Sequence, residues 1–311
     1  MRVLITGGFG YIGANLGEYL LQNGHQVILG SRRDRSSPRW LPQAEVVKIY
    51  WEDETALATV CQGVDAIVHA AGMNAQDCLD DPVSAMKFNG VATTRMIQAA
   101  IRAGTKRFVY LSTAHVYKSP LEGTIDENTP PQNTHPYASS HLAAEYALSH
   151  EVLRQRIEGV SLRLSNGFGI PKNVKSNCWD LLVNDLCRQA VILGKLQLRS
   201  SGEQQRDFIP LSTISERILK ILLLPKEKIP STINIGSGQS ISIIDMARLV
   251  QKRSQNFLGF TPEVVVAKKP EVGRFLKYTS LYTQSLKFCN FNIETAIDDL
   301  IDFCKTNFGN E

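Results

Sequence analysis

Thr6-Gly7-Gly8-Phe9-Gly10-Tyr11-Ile12-Gly13 places three glycines at intervals of three residues. They fall between the apolar run Val3-Leu4-Ile5 and a helical stretch predicted from Tyr11 to Asn23. Glycine permits a tight turn, lets backbone N–H groups approach a pyrophosphate, and lets a helix pack closely on a strand. In this strand–turn–helix context the spacing predicts a dinucleotide cradle built from Gly7, Gly10, Tyr11, Ile12 and Gly13. The next predicted strand, Gln26–Leu29, runs into Gly30-Ser31-Arg32-Arg33. An acid at this point would accept a hydrogen bond from a ribose 2′-hydroxyl. Two arginines stand there instead, and guanidinium groups suit a 2′-phosphate. The expectation is NADP, with NAD possible. The alternative is a solvated basic loop that also takes in Arg35 and Arg39.

The surrounding pattern must hold these groups. Short β-rich runs at 46–49, 66–69, 107–111 and 160–164 alternate with helical patterns near 53–61, 84–103 and 137–157. That alternation predicts βαβ units and a doubly wound parallel sheet, a Rossmann α/β fold. After Asn166 the alternation loosens. Gly, Pro and Asn gather at 166–177, which reads as a boundary or ligand loop. Helices are expected at 178–190, 212–224, 242–255 and 293–306, and short strands near 196–199, 232–235 and 263–266.

A chain of 311 residues predicts two parts around a cleft. We expect a dinucleotide-binding domain at 1–165 and a smaller C-terminal substrate-binding lobe at 166–311, with segments near 212–240 returning to the first. Hydrophobic residues at 43% exclude a disordered chain, and a net charge of +4 is too mild to predict nucleic-acid binding. The N-terminus reads as a strand rather than a signal peptide, and no apolar run approaches the ~18 residues of a membrane span. Cysteines 61, 78, 178, 187, 289 and 304 form no C-x-x-C pair and suggest buried thiols in a reducing cytoplasm, with no metal site.

At this point the chain resembles the extended short-chain dehydrogenase/reductases, in their sugar-nucleotide epimerase/dehydratase branch. The resemblance rests on the glycine turn, Gly63–Ala71, Lys106–Tyr117, Pro136-Tyr137-Ala138-Ser139-Ser140-His141 with Glu145, Arg163–Asn166, Gln205–Ile209 and Asn234–Gly238. It implies that Tyr137 exchanges a proton with the substrate and that Thr113 holds the same oxygen. It also implies that the residue four after the tyrosine binds the nicotinamide ribose, and that Ala70, Ala71 and Gly72 line the cofactor. Asn166, Arg206 and, less directly, Arg274 become substrate contacts. The departure is His141, where the family carries lysine. An imidazole can donate to a ribose hydroxyl but is mostly neutral at pH 7, so it gives the phenol little positive charge.

Two readings stay open. His141 is a working substitute, or the chain keeps the fold and NADP binding as a catalytically weakened sensor or scaffold. A related enzyme acting on a non-sugar carbonyl is a third possibility. Ala114-His115 follow Thr113 where family dehydratases carry Asp-Glu, which disfavours a dehydratase. His115 is either an extra acid or a satisfied side chain. Together with Arg32 and Arg33, this points toward an NAD(P)-dependent oxidoreductase or epimerase, most directly one reducing a keto-sugar on a nucleotide. The resemblance also implies a homodimer through the helices at 84–103 and 137–157, with no nucleic-acid or membrane partner.

Overall fold

A computed structural model describes residues 1–267 and 273–309. In chain order the strands and helices are β1 (Arg2–Thr6), α1 (Tyr11–Gln22), β2 (Gln26–Ser31), β3 (Glu45–Lys48), α2 (Glu54–Val60), β4 (Ala66–His69), α3 (Ala75–Asp80), α4 (Pro82–Ala85), a π-helical turn (Met86–Ala92) and α5 (Thr93–Arg102). Then come β5 (Arg107–Thr113), β6 (Gly123–Ile125), α6 (Pro136–Leu153), β7 (Glu158–Leu164), β8 (Asn166–Phe168), α7 (Leu182–Ile192), β9 (Lys195–Leu198) and β10 (Gln205–Pro210). The chain closes with α8 (Leu211–Leu222), β11 (Thr232–Ile235), β12 (Ser240–Ser242), α9 (Ile243–Leu258), β13 (Glu263–Val266), β14 (Leu276–Tyr278) and α10 (Ile293–Phe308).

Two units partition these elements. The first comprises 1–120, 127–164 and 215–235; the second comprises 121–126, 165–214 and 236–311. The first unit holds a parallel sheet in the order β11-β7-β5-β4-β1-β2-β3. Strand order reverses between β1 and β4, which puts a crevice at the carboxyl ends of those two strands, the usual ligand position in such sheets. Strands covered on both faces read as continuous apolar runs, and β5 is buried along its whole length. One layer of core joins Leu4, Ile28, Ile67, Phe108 and Tyr110 to Leu57, Met96, Ile97 and Leu148 from the helices.

The second unit has its own core, in which Phe168, Phe208, Leu186, Met246, Val250, Leu300 and Ile301 pack together. Asn166–Phe168 forms a strand rather than part of a loop: β8 pairs in parallel with β10, through Phe208 beside Asn166. The predicted helix at 178–190 starts later, at Leu182. The thiols are free, and Cys289 is exposed, unlike the other five.

A buried ion pair ties α6 to β7. The Arg163 guanidinium grips Glu145 at 2.6 Å, with side-chain exposures of 7% and 5%, and Ser112 donates to the same carboxylate. Removing one member strands the other charge in a dry setting. Glu145→Ala is expected to lower unfolding stability by about 3–5 kcal/mol, read as a drop in the urea midpoint.

Candidate functional site

Gly7 takes φ +67°, which an L side chain rarely adopts, and a Cβ there would meet the Ala70–Ala71 backbone at 2.9 Å. Gly13 is closed to any side chain, because its Cβ would stand 2.4 Å from the Gly7 carbonyl oxygen. Gly10 is the N-cap of α1, and no side chain caps that helix. The turn therefore presents the positive end of the helix dipole. Gly7 thus lies beside Ala70 and Ala71, so three of the expected cofactor contacts come together at the β1/β4 crossover.

The turn after β4 is fixed from both sides. Thr6 Oγ1 accepts from the Ala71 N–H at 3.3 Å and hydrogen-bonds His69 Nδ1 at 3.0 Å, while His69 Nε2 meets Thr93 Oγ1 at 2.9 Å. Asn89 Oδ1 accepts from the Met73 N–H at 2.8 Å, and Asn89 Nδ2 donates to Ser140 at 3.1 Å. Gly72 lies between these two anchors. Sequence reading missed Asn89; its signal was a polar residue beside Gly90 in an otherwise amphipathic helical pattern. The widened π turn carries that side chain into the interior.

Tyr137 and His141 share one face of α6. Pro136 occupies the first helical position, and the His135 ring accepts from the Tyr137 N–H at 3.1 Å, so the helix starts just before the phenol. Helix α6 runs antiparallel to β5 and β7, with Leu148 and Val152 over Gly159 and Glu145 at Arg163. Tyr110 and Ser112 share one face of β5, and both reach the helix, Tyr110 at His141 and Ser112 at Glu145. The Tyr110 hydroxyl lies 2.6 Å from His141 Nδ1, the two rings stack at 5.8 Å, and the Tyr137 ring stands edge-on to His141 at 4.6 Å. His141 Nε2 is buried with no partner among the described residues. A Cβ on Gly72 would lie 3.8 Å from it.

Burial sets the protonation states. It pushes His141 down to about 4 and His69 to about 3, the latter helped by His141. Burial also raises the Tyr137 phenol above its ordinary value, against a smaller opposite influence from the Thr113 hydroxyl beside it. At neutral pH both imidazoles are uncharged and the phenol keeps its proton.

The remaining expected residues divide. Arg32 and Arg33 are exposed after β2 and stand in no ion pair among the described residues. Arg35 lies over the Phe9 ring at 4.7 Å, and Asp34 is taken by Lys48 at 2.7 Å. His115 sits half-buried in a short 3₁₀ turn, its carbonyl accepting from Asn133 at 2.7 Å. In the second unit, Asn166 donates to the Asp207 carbonyl at 2.8 Å. Arg206 is half-buried, donates to Gln204 at 3.0 Å, and has its pKa lowered by burial. Arg274 is 71% exposed and paired with Glu122 at 2.6 Å.

This arrangement has known relatives. The NAD dependent epimerase/dehydratase family model matches residues 3–236, and the chain belongs to that family. It is 28% identical to mouse dTDP-D-glucose 4,6-dehydratase over 264 residues, covering 79% of this chain and 71% of that one. It is 26% identical to Bacillus subtilis UDP-glucose 4-epimerase, covering 82% of each. Its fold is that of Thermotoga maritima UDP-glucose 4-epimerase solved with UDP-glucose, at TM-score 0.82 and 20% identity, covering 98% and 99% of the two chains. RMD from Pseudomonas aeruginosa, solved with NADPH, superposes at TM-score 0.78 and 19% identity, covering 98% and 99%.

The two neutral histidines make a stability prediction. Each folded pKa lies below the ordinary 6.5, so the unfolded chain binds protons first as pH falls. Their contribution is complete above pH 6.5 and is lost as pH falls toward 4. Between pH 7 and 5 the loss should be about 2 kcal/mol per histidine. Urea unfolding at the two pH values checks it, and His69→Gln should make the pH dependence shallower.

Proposed function

We propose that the chain is an NADP-dependent reductase of a keto-sugar linked to a nucleotide. The carrying observation is the neutral His141 beside Tyr137, where the family's lysine would bring a cation. Without that charge the phenol holds its proton. A protonated phenol serves as an acid toward a carbonyl oxygen but is a weak base toward an alcohol. That asymmetry favours reduction over an epimerase cycle, which must first take a proton from a hydroxyl.

The residues fit the cofactor. The glycine turn would receive the pyrophosphate, with Gly7, Gly10, Tyr11, Ile12 and Gly13 around it. Ala70, Ala71 and Gly72 would line the dinucleotide, and the partnerless Nε2 of His141 suits a ribose hydroxyl. Arg32 and Arg33 would take the 2′-phosphate. When bound, NADPH supplies a hydride. Thr113 holds the carbonyl oxygen, Tyr137 delivers the proton to it, and solvent restores the phenol.

Residues 1–165 serve the cofactor in this reading, and the lobe from 166 serves the substrate. Arg206 supports a diphosphate contact, since no carboxylate neutralises it among the described residues. Asn166 would contact the sugar. Arg274 gives weaker support because Glu122 already pairs with it. Exposed Val83, Met86, Val91, Tyr146 and Leu153 on the helices near 82–92 and 136–153 support a homodimer, and the free cysteines fit the cytoplasm. A cofactor-binding sensor with little turnover is the second reading, and the missing cation favours it.

Turnover decides between them. NADPH oxidation with a panel of nucleotide-linked keto-sugars should be measurable, and Tyr137→Phe should slow it about 10²–10⁴-fold while cofactor affinity changes little. A phenylalanine variant with full activity refutes the assignment. Changing Arg32 and Arg33 together to alanine should weaken NADP⁺ binding by about tenfold or more and leave NAD⁺ binding unaltered, as measured by calorimetry. Equal affinity of the unaltered chain for both cofactors would remove the NADP preference.

A further inference from the structure

Tyr110 is buried on the central strand of the first unit, and its hydroxyl reaches His141 Nδ1 at 2.6 Å. It has no other hydrogen-bond partner among the described residues. The sequence motif does not account for this contact. It exists only because the residue four after Tyr137 is an imidazole, whose two nitrogens face different ways.

Two proton arrangements satisfy a neutral pair. In one, Tyr110 donates to Nδ1 and His141 carries its hydrogen on Nε2. In the other, Nδ1–H donates to the phenol oxygen. Each leaves one donor and one acceptor without a protein partner: the Nε2–H and the phenol oxygen in the first, the phenol O–H and the Nε2 lone pair in the second. The first pairs the more acidic donor, the phenol O–H, with the more basic acceptor, the imidazole nitrogen, so it makes the stronger hydrogen bond and prevails. Its unmet N–H lies beside Gly72, a residue with no side chain to fill the space before it.

We propose that Tyr110 is a positioning residue: its hydroxyl donates to Nδ1 of His141, holds the ring as the Nε2–H tautomer, and so presents an N–H toward Gly72 as the donor to a nicotinamide-ribose hydroxyl. Only the identity of that acceptor rests on the cofactor reading above. Tyr110 thereby recovers, through an uncharged ring, the donor function of a lysine, but not its charge. The packing of α6 on β5 makes this possible, since Tyr110 and Ser112 lie on one strand face and reach His141 and Glu145 of the helix.

Long-range ¹H–¹⁵N NMR of the cofactor-free chain, labelled at histidine, reads the tautomer directly. We expect His141 predominantly as Nε2–H. Tyr110→Phe keeps the stacked ring and removes only the hydroxyl, so it should give a mixture of tautomers and raise the Kd for NADPH about tenfold. The His69 signal, held by Thr6 and Thr93, reports that the variant is folded. In a His141→Lys background there is no tautomer to set, and adding Tyr110→Phe should change Kd by less than about twofold.

An Nδ1–H tautomer in the unaltered chain overturns the proposal. So does a Tyr110→Phe variant with unchanged tautomer and unchanged Kd, which would make Tyr110 a packing residue. An unaltered chain that binds neither NADP⁺ nor NAD⁺ overturns the cofactor reading and the ribose acceptor with it. The tautomer in the cofactor-free protein distinguishes that failure from a failure of the Tyr110 hydrogen bond.

Discussion

In the proposed reading, an imidazole enclosed between two tyrosine rings governs the chemistry available in the first unit. Burial keeps His141 uncharged, with Tyr110 bonded to one nitrogen and Tyr137 edge-on to the ring. A cation at this point would stabilise a phenolate and let the same phenol act in both directions. A neutral ring keeps the donor and withholds the charge. Burial also holds the Tyr137 phenol above its ordinary pKa, so at neutral pH it stands in the protonated form that the proposed reduction requires, and a proton taken from a hydroxyl would first need that form to ionise.

The rest of the first unit works to hold that ring and the turn it faces. Thr6, at the end of β1, joins His69 to the Ala71 amide, and Asn89 joins Met73 to Ser140 of α6. The turn at Gly72 is thus bonded to β1 and to the π-helical turn, and through Asn89 to α6. His69 is a second buried neutral histidine, and both its nitrogens are satisfied by threonines. The contrast is informative. The histidine held by threonines has two partners, whereas among the described residues the one beside Tyr137 has a single partner and one open nitrogen.

The parallel sheet was legible because its strands are apolar on both faces and are separated by helical patterns and glycine stops. The glycine turn was legible because steric exclusion at Gly7 and Gly13 admits no other residue. What escaped were features without a local signal. Asn166–Phe168 reads as a turn because Asn and Gly dominate it, yet pairing with β10 makes it a strand. The short strands β6, β12 and β14 were missed for the same reason: each has three residues, and long-range partners supply the order. At the site, Thr113, Tyr137 and His141 could be placed by motif. Tyr110 could not, because a strand tyrosine finds its hydrogen-bond partner only through the packing of α6 on β5. Trp51, which follows β3, packs edge-on against His69 and Phe88.

Adjacent residues in β10 show how the second unit can keep a cation available. Asp207 is fully buried, and its carboxylate is met by the Ser165 and Ser237 hydroxyls and by the Ser237 and Gly238 amides. Those four donors come from chain turns and need no arginine. Side chains alternate across a strand, so Arg206 points away from its acidic neighbour and pairs with an uncharged glutamine. A half-buried guanidinium without a carboxylate is destabilising by itself, and burial has already lowered its pKa. The sequence Arg206-Asp207 therefore separates two tasks that an ion pair would merge. The acid orders the loop at 237–238, and among the described residues the base meets no carboxylate, the condition under which binding an anion gains most.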